Sequence, residues 1–133
     1  MSRTIDANGY TTSSLSGSST NGNSNFQAVG PEIQPISHGV ISYSFRGKAA
    51  SGKTFWRDVN LHYTRPDTGP IVVRGEQTMY ESISLGFDGV ICTPQVYDDA
   101  GTTSGARAGA YVVGAVGGEP IDWDVVFALT DHY

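Results

Sequence analysis

The sequence predicts an all-β domain, an antiparallel sandwich or jelly-roll-like fold, with a small β-barrel as the alternative. Three observations carry that expectation. Apolar and polar residues alternate with a period of two along several stretches, the mark of strands with one face in a core. Turn residues recur between those stretches. Glycine is abundant, at 17 residues, while leucine occurs only as Leu15, Leu61, Leu85 and Leu129, which excludes leucine heptads, coiled coils and helical bundles. At 133 residues the chain amounts to one domain, long enough to bury roughly two thirds of its unfolded surface.

Residues 1–30 are expected to form an extended Ser/Gly/Asn-rich arm. Residues 7–25 in particular have the composition of a linker. An arm this polar is held in place only by a neighbouring chain or by the surface of its own domain. Residues 31–133 are expected to form a single antiparallel β domain. Ile41, Tyr43 and Phe45 alternate with Ser42, Ser44 and Arg46. Phe55, Val59, Leu61 and Tyr63 alternate with Trp56, Asp58, Asn60 and His62. Ile83, Leu85 and Phe87 follow the same rule, as do Ile121, Trp123, Val125, Phe127 and Leu129. The continuous apolar runs Ile71-Val72-Val73 and Tyr111-Val112-Val113 read as central strands. Turn signals stand at residues 47–52, 65–70, 98–105 and 117–120, and the short stretch from Thr78 to Ser82 offers at most one helical turn. Roughly seven to nine short strands with short connections fit a sandwich, jelly roll or small barrel.

Gly47-Lys-Ala-Ala-Ser-Gly-Lys-Thr54 matches the phosphate-loop pattern at every fixed position. That chemistry needs the loop to open a helix, whose free N–H groups cradle the phosphate. Phe55-Trp-Arg-Asp-Val-Asn-Leu-His62 follows instead, which is a strand pattern, so the segment reads as a hairpin loop.

The remaining chemistry-bearing residues point away from catalysis. Cys92, the only cysteine, lies in an apolar stretch and reads as a small buried hydrophobe. His38, His62 and His132 are far apart in sequence and lack metal-ligand spacing. The carboxylate pairs Asp98-Asp99 and Asp122/Asp124 sit in a turn and on one strand face, without the cleft that acid–base hydrolysis requires. Asp98-Asp-Ala-Gly-Thr-Thr103 lacks the spaced carboxylates of a calcium loop and is explained by turn chemistry. No cofactor and no metal are expected. Aromatic residues are the better lead, because tyrosine and tryptophan anchor interfaces and stack on sugars. Trp56, Tyr97, Asp98, Asp99, Arg107 and Trp123 form the candidate interface or ligand surface.

Residues 85–94 (Leu-Gly-Phe-Asp-Gly-Val-Ile-Cys-Thr-Pro), followed by a Gly/Thr loop and Tyr111-Val-Val113, resemble the rhythm of trimeric phage fibre-tip domains. Ser51-Gly-Lys-Thr-Phe-Trp56 with Pro94-Gln95 and Tyr97-Asp-Asp99 is similar to stretches of the actinoporin and fungal fruit-body lectin fold, without that family's N-terminal amphipathic helix. Each resemblance covers a small part of the chain and transfers no site residue.

A net charge of -5 and a pI near 4.9 argue against nucleic acid or an anionic membrane as partner. No apolar run reaches the ~20 residues of a membrane helix, and the first residues carry no apolar signal-peptide core. The expected function is a non-enzymatic structural protein of a self-assembling particle, such as a virion decoration, tail or fibre protein. It would be homo-oligomeric or joined to other subunits, and virion-borne or extracellular. The alternative is a lectin-like module that binds glycans through its exposed aromatics.

Overall fold

The computed structural model describes residues 2–5, 10–19, 24–115 and 121–132. Nine strands follow one another among them: β1 (Ser2–Ile5), β2 (Tyr10–Ser19), β3 (Ser24–Glu32), β4 (Ser37–Ala49), β5 (Thr54–Arg65), β6 (Val72–Ile83), β7 (Asp88–Asp98), β8 (Ala106–Ala115) and β9 (Ile121–His132). They form a six-stranded antiparallel sheet, β1-β2-β9-β4-β5-β6, and a three-stranded one, β3-β8-β7. The two sheets pack face to face as a sandwich. No pairing among the described residues closes either sheet, so the barrel alternative falls away.

Alternation decides the centre of the large sheet. Along β4 the inward positions Ile41, Tyr43 and Phe45 are at most 1% exposed. β5 places Phe55, Val59, Leu61 and Tyr63 on the same face, and β9 adds Ile121, Trp123, Val125, Phe127 and Leu129. The small sheet answers these large side chains with small ones. Ala106, Ala108, Ala110 and Val112 of β8 and Ala28 of β3 are buried against them. Large against small lets the layers interdigitate at native density. Rings dominate the core: Phe55 and Phe87 each stand edge-on to Trp123, and Tyr43 meets Phe127 edge-to-face.

Two polar ties cross the sandwich. The Tyr43 hydroxyl donates to the Gln95 carbonyl of β7 at 2.9 Å. The Arg65 guanidinium donates to the Ile33 carbonyl at 2.6 Å. Both satisfy groups that burial would otherwise leave unpaired.

The residues expected to form an extended arm supply β1, β2 and most of β3. β2 runs antiparallel to β9 from Tyr10 opposite Thr130 to Ser19 opposite Ile121. Three local expectations need correction. The run Ile71-Val72-Val73 does not begin a central strand: Val72 and Val73 open β6, the sheet edge, and are 50% and 49% exposed. The stretch from Thr78 to Ser82 is strand, not a helical turn, because β5 supplies its hydrogen-bond partners. Leu85 does not continue a strand: β6 ends at Ile83, Gly86 turns the chain with φ of 104°, and Leu85 is 93% exposed.

Candidate functional site

The phosphate-loop look-alike is a hairpin. Lys48 of β4 is opposite Thr54 of β5, and the loop closes with Ala49 N–H donating to Lys53 O and Gly52 N–H to Ala49 O, both at 2.9 Å. Gly52 holds φ of 94°, the left-handed residue that completes a three-residue hairpin connection. Gly47 has a different reason to be glycine. A Cβ there would lie 2.6 Å from the Trp123 ring, which occupies that space from the neighbouring strand. Both motif glycines thus serve β-structure, and no helix follows to bind phosphate.

The six sequence-predicted surface residues separate into three places. Trp56 lies on the outer face of the large sheet, 38% exposed. Its indole N–H donates to Asp58 Oδ1 at 2.8 Å, the Arg46 guanidinium stands 4.6 Å over its ring, and Tyr80 meets it edge-on at 5.2 Å. Cross-strand register produces this cluster, since Arg46, Trp56 and Ser82 lie in one row and Asp58 and Tyr80 in the next. A cleft of about 470 Å³ beside it is lined by Trp56 together with Arg46, Lys48, Asp122 and Asp124.

Tyr97, Asp98, Asp99 and Arg107 lie on the other side of the molecule, at one end of β7 and β8. Asp99 is committed to its own turn: Oδ1 accepts the Gly101 N–H at 2.9 Å, and Oδ2 lies 3.4 Å from Arg107. The Thr102 hydroxyl donates to the Asp99 carbonyl at 2.7 Å. These are the bonds of a local aspartate turn. The Tyr97 ring lies over Gly109, 37% exposed.

Trp123 is on neither surface. It is 1% exposed in the middle of the sandwich, and its alternation with Asp122 and Asp124 is the physical reason. Its indole N–H finds no acceptor among the described residues.

Cys92 packs against the core as the sequence suggests, but is only partly buried. It is half-buried under β5, and burial pushes its thiol up to about 11, with the nearby Arg57 guanidinium only partly offsetting this. A thiol so raised is a poor nucleophile at neutral pH.

Sequence reasoning missed one constellation. His38 and His132 are directly opposed on β4 and β9, with rings stacked 5.4 Å apart, and His62 lies one strand over, opposite Val40. No signal in sequence order reveals this, because the strand pairing alone brings residues 38, 62 and 132 together. Among the described residues no three His, Cys, Asp or Glu side chains converge as metal ligands.

Comparison with protein-family models, with curated proteins and with solved structures yields no match to this chain.

Proposed function

We propose that the chain is a non-enzymatic structural subunit of a self-assembling particle, acting through protein–protein contacts. A virion shell, tail or fibre is the kind of particle such a subunit builds, and a virion-borne or extracellular location goes with it. The supporting observation is β6. This strand of 12 residues is exposed on both faces at every position but Gly75. It carries Val72, Val73, Met79, Tyr80 and Ile83, each 42–55% exposed. Apolar exposure of this extent marks an interaction surface.

The three-stranded sheet is too narrow to cover β6, so Val73 and Ile83, which share the inner side with Tyr63 and Phe55, are left to water. Two register shifts against β5, with Arg74, Glu76 and Glu81, blunt the free edge against indiscriminate pairing. What the strand offers is its faces. The lectin-like alternative needs an open ring at Trp56, and Arg46 already stands over it.

Size-exclusion chromatography with light scattering on the full chain tests this reading. A defined oligomer at micromolar concentration is expected, and the pair Val73→Lys and Ile83→Lys should return it to folded monomer. A wild-type chain that stays a compact monomer overturns the proposal.

A further inference from the structure

The three histidines share a hollow of about 730 Å³ at one end of the large sheet's outer face. His38 and His132 stack across β4 and β9, Thr64 of β5 continues their row, and Thr130 stands in the next row, with Val40 and His62. The register shift beside His62 puts Arg74 of β6 at the same hollow. The three histidines, Thr64, Thr130 and Arg74 can each donate a hydrogen bond, and no carboxylate is among the described residues that line it. In a chain of net charge -5 this is a local reversal of sign.

The hollow combines one permanent positive charge, on Arg74, with three imidazoles, the side-chain type that gains charge on acidification near neutral pH. We propose that it is an oxyanion site, taking a phosphate, sulfate or carboxylate group, and that it binds more tightly as the pH falls. Guanidinium and imidazolium donors form charge-assisted bonds to such oxygens, stronger than neutral ones. The stacked pair favours an anion as well, since a bound negative charge offsets any like-charge repulsion between two rings 5.4 Å apart.

Among the described residues, the surroundings bring no carboxylate to the hollow. On the outer side, β4 brings His38, β5 His62, β6 Arg74 and β9 His132, the charged or titratable side chains among the described residues that line the hollow, with Tyr63. The neighbouring carboxylate Asp131 is buried on the opposite side of the sheet, where it accepts the Gln34 N–H at 2.8 Å and the Tyr63 hydroxyl. Arg65 is likewise turned inward, to the Ile33 carbonyl.

The test is an NMR titration of the full chain, following the imidazole resonances as sodium sulfate is added at constant ionic strength. Sulfate keeps its charge across the range, so the protein alone supplies any pH dependence. Saturable shifts at His38, His62 and His132 are expected at about pH 5.5, with affinity roughly tenfold weaker at about pH 7.5. Arg74→Gln should weaken sulfate several-fold at both pH values, and His38→Gln should flatten the pH dependence, each with an unchanged amide spectrum elsewhere. Parallel titrations with acetate and inorganic phosphate distinguish a planar from a tetrahedral ligand. Absence of saturable shifts near pH 5.5 overturns the proposal, as does an affinity indifferent to pH or to both substitutions.

Discussion

At Tyr63 a single hydroxyl couples folding to proton binding. It donates to the buried carboxylate of Asp131, and burial first, then that carboxylate, raise its pKa far above the ordinary value near 10. Tyr43 is raised as well, chiefly by burial. Both are neutral when folded, and their folded values exceed their unfolded ones. The stability they contribute is therefore complete below about pH 10 and is lost above it, by about 1.4 kcal/mol per pH unit for each tyrosine. Urea midpoints measured from neutral pH to about pH 11 should stay level and then fall steeply. Tyr63→Phe should cost about 1–3 kcal/mol at neutral pH, since Asp131 loses a donor, and should make the alkaline fall shallower. A midpoint unmoved by alkali would show that neither phenol is shielded.

The β4–β5 hairpin shows how one stretch of sequence mimics another fold's signature. Gly47→Ala should destabilise by about 1–3 kcal/mol, because the new methyl meets a Trp123 ring that Phe55 and Phe87 hold in place. Lys53→Ala, exposed on the loop with its side chain against Gly86, should cost less, about 1 kcal/mol or below. Thermal melts of the two variants give the comparison, and a phosphate-binding loop would reverse their importance. β4, β5 and β9 were legible from sequence because both their faces are typical, one buried and one wet. β6 was illegible because neither face is buried, so its apolar residues follow no period. The first half of β8 was hidden for the opposite reason: its inward residues are alanines, chosen by the aromatic rings across the sandwich. Of the candidate surface, Trp56 was correctly placed outward, whereas Trp123 was assigned to a surface that its own alternation denied it. The histidine hollow required register, which no single segment contains.

At the scale of the molecule, a wide sheet carries a narrow one, and the mismatch leaves one flank uncovered. The pairing is also partly non-local: two of the large sheet's five ladders, β2–β9 and β4–β9, join strands far apart in the chain, a feature that slows folding. Stopped-flow tryptophan fluorescence should show refolding on the millisecond-to-second scale, and a chain ending at residue 120 should be digested by protease at the rate of an unfolded polypeptide. Protection of that fragment would mean that β9 is dispensable. The position of β9 has a consequence for synthesis. The last strand in chain order sits between β2 and β4, which are not joined to each other without it. While the ribosome works through residues 20–120, the nascent chain has a vacancy in the middle of its largest sheet. A product interrupted before β9 presents two further open edges, on β2 and β4, which β9 otherwise pairs. The middle of the large sheet therefore forms only after β9 has been made, later than both of the strands it joins.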